Sequence, residues 1–516
     1  MQVCVVDNQV SGNAAVAHEH VLNAEAIGFA APRGAIRVIC VVLLLAPWTV
    51  DAVRVVHQGF ETAVTPVPTC LTEMHIVHGM QQVARSEPLY PVVDGLPFTY
   101  HLYNPLTYLP AGWAAGWLGW DVDQLLVAGR IVPFCSMLGL LLALGYYVRR
   151  RTGDWWAAAA CVLMVLFYHS STLTDFFRNR PETPGLLLTL GGWIVVQLRP
   201  RQWPFLAAAL FVAAIAFKPI FLAAPLACGL QLLLQREHKS LSQLTATCLL
   251  LGMALVTGSY YGLGHGYFQH TVWAMQACPL DPITAAREFY PILIHGHWGM
   301  LLPAALVASG WLAVKSQERN LLLYLLICLL LTSVAHGKQG ADLNYHGELS
   351  LLMVLTVVIA LWHMFRAATV LAWAPLLLLL LGTWMPIYEF GPGWNELSHQ
   401  RIFRNPYAYA GPPASDAAAR AEAYRPSQGE ALILHDELAV RVGQPVVYDW
   451  YALRILFDVG HLDFDLLKNA VEQRRYAVIV VRSNMQDPYS QALQQAALAS
   501  GYRRGSDDGG LLEYWR

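Results

Sequence analysis

The sequence predicts a mainly α-helical protein that crosses a membrane many times and ends in a small extracytoplasmic α/β domain. Three observations predict this fold class. Hydrophobic residues make up 56% of the 516 residues and charged residues only 13%, whereas soluble globular proteins contain about 25% charged residues. Apolar runs of roughly 20 residues, the length of one helical crossing, recur between residues 35 and 388. Beyond them, short apolar runs alternate with helix-like stretches.

The apolar runs predict a polytopic membrane helical bundle of about eleven spans. The first span follows Arg33 and Arg37 and lacks a small-residue cleavage site, so it is predicted to be an uncleaved anchor. The spans are expected at 35–53, 125–148, 155–173, 184–198, 203–217, 219–235, 244–263, 298–314, 321–335, 347–365 and 369–388.

Basic residues indicate the direction of the spans. They fall in every second short connection, and positively charged connections stay in the cytoplasm. This alternation predicts a multi-pass protein of the inner (plasma) membrane, with its N-terminus inside and its C-terminal tail on the outer, periplasmic side. The basic residues are Arg149, Arg150, Arg151, Arg199, Arg201, Arg236, Lys239, Lys315, Arg319 and Arg366.

Two apolar stretches are interrupted by proline. Segment 103–119 is long enough to cross, but its prolines and glycines favour a bent helix that lies on the outer surface. The run 203–235 is predicted to split at Lys218-Pro219, because proline ends or kinks a helix at the preceding residue. Lys218 is then expected at an outer turn. A single kinked helix is the alternative, and it would break the alternation of basic connections.

The chain is predicted to have three parts. Residues 1–34 form a cytoplasmic segment, 35–388 form the transmembrane domain with a large outer loop at 54–124, and 389–516 form the α/β domain. The last part has predicted strands at 431–434, 446–448 and 477–481 and predicted helices at 465–474 and 489–500. Their alternation favours a mostly parallel sheet.

Polar residues gather on the predicted outer face. The cytoplasmic connections contain little besides anchoring arginines. Ionisable groups at a membrane edge are costly, so they often have a function. We therefore expect one site at the outer membrane edge. The groups that converge there are loop 54–124, residues 175–182, Lys218 with loop 264–297, and the dense cluster from His336 to Glu348.

The residue types in these groups favour chemistry on a lipid phosphate. The paired N–H groups of an arginine guanidinium match the oxygens of a phosphate, and a lysine ammonium adds a point charge. A carboxylate can act as a general base, and cations can stabilise a phosphate leaving group, which is what sugar transfer from a lipid phosphate requires. The cations are Arg178, Arg180, Lys218 and Lys338, the carboxylates are Glu73, Asp94, Glu182, Asp342 and Glu348, and the aromatic rings are Tyr100, Tyr103, Trp298 and Tyr345.

Simpler interpretations remain open. Arg178 and Arg180 could neutralise Asp175 and Glu182, and Lys218 could reach water by snorkelling.

The sequence gives little indication of a metal or of nucleic acid. His295 and His297 lack a third ligand, and the nine cysteines have no paired metal-ligand spacing. No metal site is therefore predicted, although a divalent cation remains a possible cofactor. The net charge of −2 gives no indication of nucleic-acid binding.

In their order along the chain, these motifs resemble those of the GT-C superfamily of membrane glycosyltransferases. The likeness is greatest to the bacterial proteins related to protein O-mannosyltransferases and aminoarabinose transferases (glycosyltransferase family 39), and it covers roughly residues 35–390. The motifs are Glu73, Gly79, Leu89-Tyr90, Pro97-Phe98, Tyr103-Asn104-Pro105-Leu106, Arg180-Pro181-Glu182, Ala216-Phe217-Lys218-Pro219, Gly266-Tyr267-Phe268 and the stretch from Gly337 to Glu348.

The resemblance implies an inverting transfer of a sugar from a polyprenyl-phosphate donor to a glycan, lipid or protein acceptor of the cell envelope. It implies that Glu73 is the acidic catalytic residue. Asp51 is the second choice, because many relatives carry an aspartate near the end of the first span. By the same resemblance, Arg178, Arg180, Lys218, Lys338 and Tyr103 would contact the donor phosphate or its lipid, and Glu182, Asn344, Tyr345 and Glu348 would shape the donor pocket.

Two other classes of protein are compatible with the sequence. A multi-pass transporter or flippase would favour inverted repeats and a midplane cavity, and the sequence has no evident repeat. A glycan ligase or polymerase that uses lipid-diphosphate donors would share the cationic pocket, so the sequence does not separate it from a monophosphate-dependent enzyme.

Overall fold

The structure is a computed structural model that describes most of the helical region and most of the C-terminal domain. The described residues are 30–69, 71–169, 177–199, 203–277, 280–281, 283, 300–315, 318–338, 343–367, 370–384, 430–443, 450–482, 487–508 and 511–516. Several predicted features lie outside them: Asp175, His295, His297, Asp342, the linker after residue 388 and the strand at 446–448.

Long helices dominate the described chain, and short helical turns connect several of them. The helices up to residue 258 are α1 (Ala30–Val64), α2 (Leu71–Ala84), α3 (Leu109–Leu118), α4 (Val122–Thr152), α5 (Trp155–His169), α6 (Glu182–Leu198), α7 (Pro204–Phe217), α8 (Ala223–Leu234) and α9 (His238–Gly258). Those that follow are α10 (Leu301–Lys315), α11 (Arg319–His336), α12 (Gly347–Arg366) and α13 (Trp373–Trp384). Short turns lie at Pro105–Thr107, Ser259–Leu263, Gln269–Trp273, Ala274–Ala277, Leu343–His346 and Val370–Ala372.

Within the described residues, four helical segments are long and apolar enough to cross a membrane. They are Val122–Thr152, His238–Leu263, Arg319–His336 and Gly347–Arg366. Helices α5, α7, α8 and α10 are apolar but shorter. Helix α12 lies at the centre of the bundle, where it packs on α5, α10 and α11. The total number of crossings and the cytoplasmic position of the N-terminus stay predictions.

The first helix is longer than the span predicted at 35–53. It continues to Val64, so the first part of the predicted loop 54–124 is helical. The sequence explains where the helix ends, because Pro66 disfavours the helical conformation for the residue before it.

The two proline predictions agree with the structure. The run 203–235 is divided into α7 and α8, with Lys218 immediately after α7. Segment 103–119 forms a turn and the ten-residue helix α3. Such a helix extends about 15 Å, roughly half the thickness of the hydrocarbon layer.

The C-terminal domain contains helices around a four-stranded sheet. Its strands are β1 (Glu430–Ile433), β2 (Tyr476–Arg482), β3 (Arg503–Asp508) and β4 (Leu511–Trp515), in the order β1-β2-β4-β3. Among the described strands, only β1 and β2 pair in parallel, so for this part of the domain the prediction of a mostly parallel sheet was wrong. The antiparallel pair β3–β4 was missed because β3 is polar, although Gly509-Gly510 is a hairpin signal. The helices are α14 (Asp436–Val442), α15 (Trp450–Asp458), α16 (Phe464–Glu472) and α17 (Pro488–Ala499).

The C-terminal domain packs on the outer loop through α14. Leu438 and Ala439 share a buried apolar cluster with Ile76 of α2. Beside this cluster, Arg441 forms an ion pair with Asp123 in the first turn of α4, at 2.8 Å. The C-terminal domain and the loop between α1 and α4 therefore lie at the same end of the bundle.

Candidate functional site

Lys218 is held in place by the loop motif Tyr103-Asn104-Pro105-Leu106. Pro219 has no backbone N–H, so the Ile215 carbonyl four residues earlier loses its helical partner. The Asn104 Nδ2 donates to that carbonyl oxygen at 2.6 Å. The Thr107 hydroxyl donates to the Phe217 carbonyl at 3.0 Å. Two motifs that are distant in sequence thus form one cap at the end of α7.

This cap gives a first prediction. Replacing Asn104 with Ala leaves the Ile215 carbonyl without its donor and is expected to lower stability by about 1–3 kcal/mol, the cost of an unsatisfied buried polar group. Thermal unfolding of the purified protein in detergent measures this loss. The control is Tyr267→Phe, which removes only the hydrogen bond to Asn104 Oδ1 and should cost less. An Asn104→Ala protein as stable as the wild type would contradict the proposed cap.

Lys218 lies in a buried cluster with an acid and two aromatic rings. Its Nζ donates to Glu182 Oε1 at 2.7 Å. The same nitrogen lies 4.6 Å from the ring centre of Tyr345 and 5.8 Å from that of Tyr103. Lys218 is 5% exposed and Glu182 2% exposed. Four segments that are far apart in sequence therefore meet at one ammonium group. We call these four residues, with Arg180, the Lys218 cluster.

Charge keeps this ammonium protonated. Burial alone would lower the pKa of Lys218, but the Glu182 carboxylate more than compensates, so the pKa is raised. Arg180 is close enough to act on the pKa of both Lys218 and Tyr103. Burial and the Glu182 charge raise the pKa of the Tyr103 phenol, which favours its neutral form. The cluster therefore offers two cations beside one carboxylate.

Glu182 and Tyr345 also line a small cavity that extends between the helices. Its volume is about 30 Å³, enough for a water molecule. Glu348 lines the same cavity, and its Oε1 accepts a hydrogen bond from the Tyr324 hydroxyl at 2.5 Å. The structure thus brings together three predicted donor-pocket residues. The side chain of the fourth, Asn344, lies outside the described part of the chain.

Glu73 lies in a second buried cluster and is fully enclosed. The Nε of Arg130 donates to its Oε1 at 2.7 Å, and the Nη2 donates to its Oε2 at 2.6 Å. Backbone N–H groups of Asn179 and Thr69 donate to the same carboxylate at 2.8 and 2.7 Å, and the Thr69 hydroxyl adds a bond of 3.0 Å. Burial raises the pKa of Glu73, but Arg130 and the hydrogen bonds outweigh it and lower the pKa to about 2.

In this geometry Glu73 is the less accessible of the two predicted catalytic carboxylates, and the choice between them stays a prediction. A general base needs a lone pair within reach of the substrate proton. Both oxygens of Glu73 are occupied, and its side chain is 0% exposed. The second choice, Asp51, lies on α1, 3.8 Å from Arg54, with 23% of its side chain exposed. Of the two carboxylates, only Asp51 keeps access to solvent.

Arg130 was missed in the sequence. It lies within the predicted span 125–148, whereas only basic residues in connections had been considered. All five of its N–H groups donate: two to Glu73 and three to backbone carbonyls of Thr62, Thr65 and Val67. The sequence did contain one signal: Arg130 is a lone arginine in an apolar run, and such an arginine rarely occurs without a partner.

Residues 178–182 connect the two clusters. The Arg178 Nε donates to the Thr69 hydroxyl at 3.1 Å, so Arg178 lies on the Glu73 side. Arg180 and Glu182 lie on the Lys218 side. Lys338 lies at the end of α11, on a short antiparallel bridge to Leu280. Of the four predicted phosphate cations, the structure thus brings Arg180 and Lys218 together.

The outer loop also packs closely on the turn after α9. Tyr90 N–H donates to the Leu263 carbonyl at 2.9 Å, and Gly266 N–H donates to the Tyr90 carbonyl at 3.0 Å. A Cβ on Gly266 would lie only 2.0 Å from the Pro91 carbonyl oxygen. This close approach explains why glycine occupies this position.

A second prediction follows from this contact. Gly266→Ala is expected to force the two backbones apart and to lower the melting temperature, whereas Gly262→Ala should not, because no atom lies within 4 Å of its added Cβ. Differential scanning fluorimetry of both variants provides the comparison. Equal melting temperatures for the two variants would contradict the packing described.

An apolar groove is lined in part by Pro219, the residue after Lys218. It has a volume of about 410 Å³ and lies between α7, α8 and α9. Asn104, Tyr267 and Pro219 lie at its polar end, and Leu222 and Leu249 are among its apolar walls. The outward side of α9 is exposed along residues such as Leu250 and Met253. An apolar chain could therefore enter this groove sideways from a membrane.

No metal-binding arrangement is present in the described residues, where no group of three or more His, Cys, Asp or Glu is placed to hold an ion.

Comparison with known proteins gives a match in structure but not in sequence. No protein-family model and no curated protein matches the chain. The crystal structure of ArnT from Cupriavidus metallidurans bound to undecaprenyl phosphate is similar, with a TM-score of 0.57 and 14% identity, covering 93% of this chain and 98% of that chain. The apo state of the same protein gives a TM-score of 0.55 and 13% identity, covering 94% and 98%.

The predicted GT-C resemblance is thereby confirmed at the level of the fold. Together with its apolar helices, this fold makes the chain a membrane protein.

Proposed function

We propose that this chain is a membrane glycosyltransferase that moves a sugar, with inversion, from a polyprenyl-monophosphate donor to an acceptor in the cell envelope. One observation carries the proposal: Lys218 directly precedes Pro219, which lines an apolar groove, so a phosphate at the ammonium group and a lipid tail in the groove would be neighbours. The bound undecaprenyl phosphate of ArnT supports the same class of donor. We place the reaction at the outer face of the inner membrane.

The charge of the Lys218 cluster supports a monophosphate donor. Lys218 and Arg180 against Glu182 leave one positive charge. A sugar linked through one phosphate to a lipid is a phosphodiester with one negative charge, whereas a diphosphate carries two. A buried charge needs a matching partner. This balance favours a monophosphate over the diphosphate used by a ligase or polymerase.

In the proposed reaction, an acceptor hydroxyl attacks the anomeric carbon as the bond from that carbon to the phosphate oxygen breaks. The hydroxyl proton moves to a carboxylate, for which we propose Asp51. The lipid phosphate leaves with the electron pair of the broken bond, and Lys218 and Arg180 stabilise its new charge. Tyr103 is proposed to border the phosphate, and Tyr345, Asn344 and Glu348 to border the sugar.

Analysis of co-purified lipids tests the donor class without knowledge of the sugar. The protein is purified from its native membrane in mild detergent, and its bound lipids are identified by mass spectrometry. Polyprenyl monophosphate or its glycosylated form should be enriched over bulk lipid, and a triple Lys218→Met, Arg180→Met, Glu182→Gln variant, which removes both cations without leaving a buried carboxylate, should lose that enrichment. Enrichment of polyprenyl diphosphates, or of no polyprenyl lipid, would contradict the proposal. Solute flux in vesicles without a glycosylated product would favour a transporter.

A further inference from the structure

A polar cleft lies apart from the Lys218 cluster, between the outer loop and the C-terminal domain. It has a volume of about 400 Å³, within the usual range for a small-ligand site. One wall is a face of α2 that carries His78, Gln81 and Gln82, at helical spacings of three and four residues. The opposite wall is loop 91–99, and Val440 at the end of α14 closes one side.

We infer that this cleft binds the saccharide part of the acceptor. The inference rests on the proposed function, because it assigns the second substrate of the same enzyme. Its lining offers amide, imidazole, guanidinium and carboxylate groups, which supply both donors and acceptors to neighbouring hydroxyl groups. A hydroxyl-rich ligand uses such a mixture better than a purely ionic or purely apolar one.

The charge of the cleft separates it from the donor site. The cleft lining contains one cationic side chain, Arg85, and two carboxylates, Glu87 and Asp94, so the net charge of these three residues is negative by one. A phosphate would be repelled by that balance, whereas a neutral or cationic sugar would not. The cleft is therefore not a second place for the donor phosphate.

The backbone of the cleft favours a saccharide over an extended peptide. A peptide commonly binds by adding a strand to exposed backbone N–H and C=O groups. In loop 91–99, Pro91 and Pro97 have no N–H to offer. The Val93 N–H already donates to Gln269 Oε1 at 3.0 Å, and the Thr99 N–H to the Pro97 carbonyl at 2.8 Å. Four of the nine residues of this loop therefore offer no N–H group to an added strand.

The position of the cleft suits an acceptor. Thr99 lines it, and Tyr103 lies beside Lys218. The four residue steps from Thr99 to Tyr103 span at most about 14 Å of extended backbone. The Gln82 side chain in the cleft accepts a hydrogen bond from the His101 ring at 2.6 Å, which couples the cleft wall to this connecting segment. A saccharide of a few units held in the cleft is close enough for one end to approach the Lys218 cluster.

The test is a binding measurement without donor lipid. The full chain in nanodiscs is mixed with water-soluble oligosaccharides released from the envelope of the source organism by mild acid, and binding is followed by saturation-transfer NMR. Wild type should bind a component of this pool. A double Gln81→Leu, Asp94→Asn variant should bind it at least about tenfold more weakly, the effect of about one lost hydrogen bond. The matched control is Gln473→Leu, an exposed residue of the C-terminal domain that should leave binding unchanged.

Three results would overturn the inference. They are absence of binding by the wild type, equal binding by the double variant, and displacement of the saccharide by an unglycosylated peptide pool from the same envelope. Since the assay contains no polyprenyl lipid, its failure would leave the proposed donor class intact. Conversely, absence of a co-purified polyprenyl lipid would contradict the proposed function without affecting saccharide binding.

Discussion

Replacing Arg130 with Ala is expected to destabilise the protein by about 3–5 kcal/mol, the usual cost of leaving a buried charge without its partner. Arg130 and Glu73 are both fully buried, and the arginine also holds three backbone carbonyls, one in the last turn of α1 and two in the segment that follows it. The variant would leave the Glu73 carboxylate without its cation and release that segment. Thermal or denaturant unfolding in detergent, followed by intrinsic tryptophan fluorescence, measures the loss.

Two variants make this result specific. Arg150→Ala removes an exposed arginine from the same helix and should change stability by less than about 0.5 kcal/mol. The pair Arg130→Met, Glu73→Met removes both charges and should be more stable than Arg130→Ala, because no uncompensated charge stays buried. An Arg130→Ala protein as stable as the Arg150→Ala control would contradict the structural role given to Glu73.

Replacing Lys218 with Met is expected to lower sugar transfer by at least about 100-fold, the usual effect of removing one group that stabilises charge in a transition state. The variant loses the ammonium beside Tyr345 and leaves Glu182 buried without its ion-pair partner. Loss of fold could therefore imitate loss of catalysis. The double variant Lys218→Met, Glu182→Gln separates the two, because it removes the pair without leaving a charge.

The double variant should recover stability but not transfer. Lys239→Met, an exposed lysine at the start of α9, serves as the control and should retain both. Rates are compared in membranes with equal amounts of protein. If the double variant transferred sugar at the wild-type rate, Lys218 would not hold the donor phosphate.

The sequence predicted the site best where a motif has a simple chemical reason. Lys218-Pro219 ends a helix because proline cannot continue the hydrogen-bond ladder, and that prediction agrees with the structure. That the freed Ile215 carbonyl needs a donor could also have been anticipated. Which residue donates could not, because Asn104 lies 111 residues away and meets this carbonyl only through tertiary packing.

The role of Glu73 could not be predicted in this way. Its neighbours in sequence gave no indication of Arg130, which lies 57 residues away and folds back onto it. The motif-based resemblance gave Glu73 a catalytic role, whereas packing encloses it. Whether a carboxylate is a base or a buried ion-pair partner depends on tertiary contacts that the local pattern does not contain.

The mixed sheet of the C-terminal domain was missed for a related reason. Strand β3 begins with Arg503-Arg504 and ends with Asp507-Asp508, so its residues lack the β-branched and aromatic side chains that mark a strand. It is held by antiparallel pairing with β4. Pairing of this kind depends on the partner strand and therefore escapes a reading of single segments.

The central claim is that this chain transfers a sugar from a polyprenyl monophosphate at the Lys218 cluster. The most direct measurement is a single-turnover reaction of the purified protein in nanodiscs, with labelled polyprenyl-monophosphate and polyprenyl-diphosphate sugars extracted from the source organism and its envelope fraction as acceptor. The wild type is expected to release polyprenyl monophosphate and to form a glycosylated product from the first donor only, and the double Lys218→Met, Glu182→Gln variant is expected to do neither. Turnover of the diphosphate donor alone, or of neither donor, would contradict it.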